Sequence, residues 1–133
     1  MELSQIRIDE KRGEQVIVLK EKNGKRLLPI VIGILEATAI KMEISGYHPP
    51  RPLTHDLLNS TIHELGATLR QINVEKLDQN IFFAKLVLQT KEGGSIEVDA
   101  RPSDSIALAV RAKAPIYVAQ AVLEQVSFQG PET

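Results

Sequence analysis

Two short proline-containing segments of the 133-residue chain concentrate the side chains that could do chemistry. Residues 49–56 combine prolines with an arginine, a histidine and an aspartate, and residues 99–105 combine Arg, Pro, Asp and Ser. Proline restricts the backbone, so each segment holds its polar groups in place beside a helix start. Helix N-termini and arginine both suit phosphate, and grouped carboxylates suit Mg²⁺ or Mn²⁺. Together these groups would be the components that metal-assisted hydrolysis of a phosphodiester needs.

Each of these residue types has a role in that hypothesis. Histidine exchanges protons near neutral pH and is the candidate general acid or base, whereas arginine holds phosphate and stabilises developing negative charge. The candidate catalytic residues are His55, Asp56, Asp99 and Asp104, the candidate substrate-binding residues are Arg51, Arg101 and Ser103, and the candidate metal ligands are Glu36, Asp56 and Asp104.

A purely structural role for the same side chains stays open. Asp56 and Asp104 can cap the helices in which they stand, and Arg51 and Arg101 can pair with them and join two helices. Glu36, on a helix that is apolar on most faces, is either paired with an arginine or part of a site. The catalytic hypothesis therefore requires the two segments, which are distant in sequence, to meet in the fold.

Composition and spacing exclude several classes of site. The chain has no cysteine, which excludes disulfides, thiolate metal sites and cysteine nucleophiles. No phosphate-binding glycine loop, serine nucleophile elbow or paired-histidine zinc motif occurs. His55 and His63 would lie about 12 Å apart on one helix, too far to share a metal. The net charge of −1, with 4% aromatic residues, supplies neither a basic stripe nor a base-stacking platform.

Hydrophobic periodicity predicts a single α+β domain with a mixed, mostly antiparallel sheet of about six strands and three main helices. Apolar runs predict strands at 2–9, 15–21, 27–32, 68–77, 81–90, 95–100 and 115–118, and helices at 34–45, 54–65 and 103–113, with a short one at 120–125. A change of phase between Leu69 and Ile72 indicates a β-bulge. Residues 1–126 form the predicted domain and 127–133 a flexible tail.

Two helices carry conspicuous apolar patterns. The helix at 34–45 is apolar on most faces, which is typical of a core or of a subunit interface and favours a homodimer. The helix at 54–65 carries one apolar stripe, and most of its polar residues lie off that stripe. That stripe consists of Leu53, Leu57, Leu58, Ile62 and Leu65.

No signal peptide or membrane-spanning stretch is recognisable in the sequence, since the longest apolar run, Leu27 to Ile34, is interrupted by Pro29 and Gly33. The simplest interpretation is a cytoplasmic protein.

Four segments of the chain resemble the bifunctional nuclease (BFN) domain family, in its stand-alone bacterial form. The resemblance runs from about residue 3 to residue 126, and it implies a compact α/β fold, hydrolysis of DNA and RNA, and pairing of subunits. The segments are LPIVIG with EA at 28–37, RPLTHDL at 51–57, DARPSDSIAL at 99–108 and APIYV at 114–118. The motif positions that carry over are Glu36, Arg51, His55, Asp56, Asp99, Arg101, Ser103 and Asp104.

The near-neutral charge favours a second hypothesis from a different class. In it the chain is a non-enzymatic dimeric regulatory module that binds a small anion or a protein partner. The two hypotheses differ in whether a bound phosphodiester is cleaved.

Overall fold

A computed structural model of the chain describes residues 2–11, 14–126 and 128–129. In chain order the elements are β1 (Glu2–Lys11), β2 (Glu14–Glu21), β3 (Arg26–Ile32), α1 (Ile34–Ser45), α2 (Thr54–Glu64), β4 (Ala67–Asp78), β5 (Ile81–Thr90), β6 (Ser95–Ala100), α3 (Pro102–Ala112), β7 (Ile116–Val118), α4 (Gln120–Val126) and β8 (Phe128–Gln129).

One mixed sheet runs through the described residues in the order β6-β5-β4-β7-β1-β2-β3-β8. Two antiparallel groups, β4-β5-β6 and β1-β2-β3, are joined by β7, which pairs parallel to β4 and antiparallel to β1. The α+β class and the mixed, mostly antiparallel sheet are confirmed. The described strands number eight, because β7, with three residues, and β8, with two, extend the six longer ones.

Local patterns explain several of the strands. Ile17, Val18 and Leu19 of β2 are all buried, as the continuous apolar run in that segment predicts. In β4 the pairing register with β5 shifts between Leu69 and Gln71, where the change of apolar phase indicates a bulge.

A single hydrophobic core holds the helices on the sheet. It includes Ile40 of α1, Ile62 of α2, Ile106 and Leu108 of α3 and Leu123 of α4. α3 is central, since it packs on α1 and α2 and also on β4 and β5. None of the described helices is long and apolar enough to cross a membrane.

The apolar stripe of α2 is largely exposed. Ile62 is buried, but Leu57, Leu58 and Leu65 are exposed. The helix rests on α3 and β4, and nothing among the described residues covers its outer side. In the edge strand β6, Ile96 and Val98 are likewise exposed, because α3 packs on β4 and β5 instead.

The predicted flexible tail at 127–133 falls mainly outside the described residues. Within it, Phe128 and Gln129 form β8, which pairs with Leu27 and Arg26 of β3. The domain boundary at residue 126 stays a prediction.

Candidate functional site

The first side of the site is the start of α3. Arg101 is the N-cap residue in extended conformation, and Pro102 occupies the first helical turn, where its missing N–H costs nothing. The Ser105 N–H donates to the Arg101 carbonyl at 3.0 Å, and the Ser105 hydroxyl donates to the same oxygen at 2.9 Å. The backbone is thus fixed at the point from which Arg101 and Asp104 extend.

The second side is the start of α2, which follows the proline-rich loop. Leu53 is the N-cap residue, and its N–H donates to Oδ2 of Asp56 at 2.9 Å. A carboxylate in the first helical turn is also favoured by the helix dipole. This local bond fixes the turn that carries His55.

The two segments meet between α2 and α3. His55 Nε2 lies 3.0 Å from Asp104 Oδ1, across 49 positions of sequence. An ionised carboxylate can only accept hydrogen bonds. Nε2 therefore carries the hydrogen and donates a hydrogen bond to Asp104 Oδ1. The fold thus brings His55 of one proline-containing segment into contact with Asp104 of the other.

Arg101 joins this pair to α1. Its Nε and Nη2 atoms lie 2.9 Å and 2.8 Å from Asp104 Oδ2, and Nη2 lies 2.8 Å from Glu36 Oε1. The Arg101 side chain remains 66% exposed. Glu36, His55, Arg101 and Asp104, which we call the polar quartet, thus connect the three main helices in one network.

The polar quartet lines a cleft of about 390 Å³, near the lower end of the size range of small-ligand pockets. The rest of the lining is mostly apolar or weakly polar. It consists of Leu35, Thr38, Ala39 and Met42 of α1, with Leu53 and Thr54 at the start of α2. A substrate in this cleft would meet a compact charged group beside an apolar wall.

The charge of Asp104 is stabilised by its neighbours. Burial by itself raises the pKa of this carboxyl, but the hydrogen bonds from His55 and Arg101, with their charges, outweigh burial and hold the pKa below its ordinary 3.8. Asp104 also raises the pKa of Arg101 by hydrogen bonding and by its charge. The ion pair is therefore intact at neutral pH.

Asp56 lies beside His55 in sequence but belongs to a different network. Its Oδ1 accepts a hydrogen bond from Arg111 Nε at 2.6 Å. The Arg111 side chain is only 4% exposed, and it also donates to the carbonyls of Ala107 at 2.8 Å and Ala39 at 3.2 Å. Arg111 therefore ties α1, α2 and α3 together behind the cleft.

Sequence reasoning did not identify Arg111. It stands seven residues after Asp104 on α3, a spacing that returns to the same helix face. Because Asp104 contacts His55, an arginine on that face is well placed to contact the neighbouring Asp56. The spacing of Asp104 and Arg111 could have identified Arg111 as a candidate. No local sequence feature, however, links Arg111 to Asp56, which lies 55 positions earlier.

Three other predicted residues are not part of the cleft lining. Asp99 is exposed on the edge strand β6, where its register partner is Lys85. Arg51 is exposed in the loop before α2, and Ser103 is buried in the first turn of α3. The fold brings together Glu36, His55, Arg101 and Asp104, whereas Asp56 contacts Leu53 and Arg111 instead.

The carboxylates do not form a ready divalent-cation site. Both Asp104 oxygens accept hydrogen bonds, both Asp56 oxygens accept hydrogen bonds, and Glu36 pairs with Arg101. Across residues 2–11, 14–126 and 128–129, no group of three or more His, Asp and Glu side chains is arranged to hold a metal. The residues that are present do not fit a resident Mg²⁺ or Mn²⁺ ion.

We predict that acid destabilises the fold through Asp56 and Asp104. Burial raises the pKa of Asp56, but the Leu53 N–H, Arg111 and the charge of His48 outweigh it and lower the pKa from 3.8. A depressed folded-state pKa gives stabilisation that is complete above the unfolded value and disappears as pH falls through the folded value.

Urea unfolding at a series of pH values from 6 to 2 measures this effect. The free energy of unfolding should begin to fall near pH 4, and Asp56→Asn should flatten that fall. An identical pH dependence for Asp56→Asn and the unmodified chain would contradict the assignment.

Comparison with known proteins identifies similar sequences along nearly the whole chain. Residues 17–130 match the bifunctional nuclease domain. An uncharacterized protein of Mycobacterium tuberculosis is 44% identical over 127 residues, covering 96% of this chain and 75% of that protein. Bifunctional nuclease 2 of Oryza sativa subsp. japonica is 34% identical over 115 residues, covering 84% of this chain. Bifunctional nuclease 1 of Arabidopsis thaliana is 31% identical over 105 residues, covering 77%. The chain spans 35% and 32% of these two plant proteins.

Proposed function

This chain belongs to the bifunctional nuclease domain family, and on that premise we propose that it is a phosphodiesterase that hydrolyses DNA and RNA at the cleft between α1, α2 and α3. The observation that carries the proposal is the contact of His55 with Asp104, whose other oxygen is held by Arg101. These three side chains supply a proton acceptor, a group that orients it and a phosphate-binding cation.

His55 is the proposed general base. Asp104 accepts the Nε2–H bond and so keeps the proton on Nε2, which leaves the Nδ1 lone pair to accept a proton from water. The water oxygen forms a bond to phosphorus while the bond from phosphorus to the leaving ester oxygen breaks. His55 takes one proton from the attacking water, and the leaving ester oxygen gains one proton and becomes a hydroxyl. The reaction therefore neither gains nor loses a proton overall.

Arg101 is the proposed phosphate-binding residue. Its guanidinium, on an exposed side chain, has five N–H donors, of which Glu36 and Asp104 use only part. A phosphate must compete with these two carboxylates for the guanidinium. We therefore expect modest affinity for substrate and a strong dependence on the Arg101 side chain.

The size of the cleft points to single strands as substrates. Its volume of about 390 Å³ suits about one nucleotide and excludes the full width of a duplex. The net charge of −1 supplies no extended phosphate-binding surface. Single-stranded DNA and RNA are accordingly the substrates to assay first.

Divalent-metal assistance by Mg²⁺ or Mn²⁺ stays a prediction, and the steps above do not depend on it. Metal binding at Glu36 and Asp104 would require these carboxylates to leave Arg101. Rates measured with Mg²⁺, with Mn²⁺ and with EDTA test the prediction directly. A rate that is unchanged by EDTA would contradict metal assistance and leave the role of His55 intact.

We predict that Arg101→Ala raises KM for single-stranded substrates about tenfold or more, because a charged hydrogen bond to phosphate contributes about 1.5–3 kcal/mol. Arg51→Ala is the matched control, since Arg51 is also an exposed arginine next to a helix start but does not line the cleft. Its KM should stay within about twofold of the unmodified protein. Equal effects of the two substitutions would contradict the assignment of Arg101.

A second candidate function is supported by the same pairing of charges. Glu36 and Asp104 are both neutralised by Arg101, and the neighbouring wall is mostly apolar. Such a cleft could bind a small anion or a protein segment without turnover, in a non-enzymatic regulatory module. Binding of a single-stranded oligonucleotide that is lost in Arg101→Ala, without any cleavage, would favour this alternative. Location in the cytoplasm stays a prediction.

A further inference from the structure

The edge strand β6 has one side open for main-chain hydrogen bonding. It stands first in the order of the sheet, and among the described strands it pairs only with β5. The hairpin between the two strands closes with a type I turn and a G1 bulge. The Thr90 N–H donates to the Gly94 carbonyl at 2.9 Å, the Gly93 N–H donates to the Thr90 carbonyl at 3.0 Å, and Gly93 has a φ of 86°. This turn fixes which residues of β6 bond to β5.

The backbone groups of β6 alternate between β5 and the open edge. Hydrogen-bonded pairs recur at every second residue of an antiparallel ladder, so, counted from the turn, Ile96 and Val98 are the residues that bond to β5. Ser95, Glu97 and Asp99 therefore direct their N–H and C=O groups away from β5. These donors and acceptors, unpaired within the described residues, form a row to which another extended segment can bond.

An apolar cavity opens beside this edge, on the helix side of the sheet. It has a volume of about 270 Å³ and lies between the end of α2 and the strands β5 and β6. Its inner lining includes Ile62 and Leu88, which belong to the core or pack against it, whereas Leu65 and Ile96 in the same lining are exposed. A residue of an added strand that lies opposite Ile96 points to the same face. The cavity therefore favours an apolar side chain at that position.

The other face of β6 is acidic. Glu97 and Asp99 alternate with the apolar residues and are exposed, and the strand contains no basic residue. Lys85, the register partner of Asp99 on β5, forms an ion pair with Glu75 at 3.9 Å. Opposite charges directly across a ladder stabilise the pairing of two strands, and like charges destabilise it. The strand that this edge accepts therefore carries Lys or Arg opposite Glu97 and Asp99.

The same charges argue against two other occupants. Antiparallel pairing of β6 with β6 of a second copy, in the registers of greatest overlap, would set a carboxylate opposite Glu97. A nucleic acid strand would bring its phosphates to the same carboxylates. The occupant that fits is a partner protein with an extended segment of alternating apolar and basic residues.

We propose that β6 is a docking edge for such a partner protein, whose extended segment adds antiparallel to β6 as a further strand of the sheet. Main-chain hydrogen bonds supply the affinity, and the cavity beside Ile96 and the carboxylates of Glu97 and Asp99 supply the specificity. Asp99, which does not line the cleft, thus has a place in recognition. The proposal does not depend on the proposed function.

A synthetic peptide of alternating Val and Lys is the probe, and isothermal titration calorimetry measures its binding to the full chain. A peptide with Glu in place of Lys should bind about tenfold or more weakly, because its charges repel those of β6. In the proposed register the Lys residues bond to β6 through their backbone, whereas the Val amides point outward. Backbone N-methylation of the Lys residues should therefore weaken binding about thirtyfold or more, and N-methylation of the Val residues should change it little.

Charge reversal on the protein provides the complementary test. Glu97→Lys combined with Asp99→Lys should reverse the preference, so that the Glu peptide binds more tightly than the Lys peptide. Asp78→Lys combined with Glu124→Lys is the matched control, because it makes the same change of net charge at exposed positions outside β6. The control should keep the preference of the unmodified chain. Circular dichroism of both variants verifies that they are folded.

Amide hydrogen exchange identifies the groups that bond to the peptide. In the free protein the N–H groups of Ile96 and Val98 should exchange slowly, because they bond to β5, whereas those of Glu97 and Asp99 should exchange fast. The Lys peptide should slow exchange at Glu97 and Asp99 about tenfold or more at saturation.

Some outcomes would overturn the proposal. These are no binding at about 1 mM peptide, equal binding of the Lys and Glu peptides, equal weakening by the two N-methylations, or bound-state protection that leaves out Glu97 and Asp99. Protection of these two amides by self-association, without peptide, would assign the edge to a second copy and equally overturn it. A protein that binds the peptide as described but cleaves no nucleic acid would support this interface and contradict only the proposed function.

Discussion

Replacement of His55 by glutamine is expected to lower kcat on single-stranded DNA and RNA by about 10²- to 10⁴-fold, the usual contribution of a general base. Glutamine can still donate a hydrogen bond to Asp104, so the contact between α2 and α3 is retained. It cannot accept a proton from water at neutral pH. KM should change little, because Arg101 still holds the phosphate.

His63→Gln is the matched control for this prediction. His63 stands on the same helix, eight residues later, and lines a different pocket at the far end of α2. Its kcat should equal that of the unmodified protein. Equal rates for His55→Gln, His63→Gln and the unmodified protein would mean that the hydrolysis arises elsewhere or from a contaminant.

The second large effect concerns stability rather than chemistry. Asp56→Ala is expected to lower the free energy of unfolding by about 3 kcal/mol, because it leaves the buried Arg111 guanidinium without its counter-charge. For a domain of this size such a loss lowers Tm by roughly 10 °C. Asp99→Ala, which removes an exposed carboxylate from β6, should change stability by no more than about 0.5 kcal/mol. Calorimetry or urea unfolding of both variants measures the difference.

A double substitution separates a structural role of Asp56 from a catalytic one. In Asp56→Asn with Arg111→Met, the amide oxygen can still accept the Leu53 N–H, and no charge is left buried. Replacing a buried ion pair by groups of similar volume is often close to neutral. We expect the double variant to recover most of the stability and activity that Asp56→Ala loses. A stable double variant with no activity would instead give Asp56 a direct part in the reaction.

The fold was predictable where the pattern is local. The bulge in β4 follows from a phase change that is visible between Leu69 and Ile72, and the burial of β2 follows from its continuous apolar run. The exposed stripe of α2 was not predictable, because periodicity identifies an apolar face without saying what covers it. Leu57 and Leu65 satisfy the helical period and are nevertheless exposed.

The candidate site, like the fold, was predictable in its local features but not in the contacts that depend on packing. Residue types and helix starts identified His55, Arg101 and Asp104 as candidates, since these are local features. Their convergence depends on the packing of α2 on α3, and the pairing of Asp56 with Arg111 depends on the same packing. Asp99 belongs to the same sequence motif as Arg101 and Asp104, but it still lies within the strand β6. Side chains alternate between the two faces of a strand, and this alternation directs Asp99 away from the helices. Proximity in sequence did not mean proximity in the site.

The position of β7 constrains the order in which the molecule can assemble. This three-residue strand is the only described element that hydrogen-bonds to both antiparallel groups of the sheet, and it comes after residue 115. During synthesis each group can form its own hairpins early, but the groups cannot join into one sheet until Ile116–Val118 has left the ribosome. Docking of the amino-terminal half onto the rest is therefore a late event, and contacts this distant in sequence are typical of slower folding.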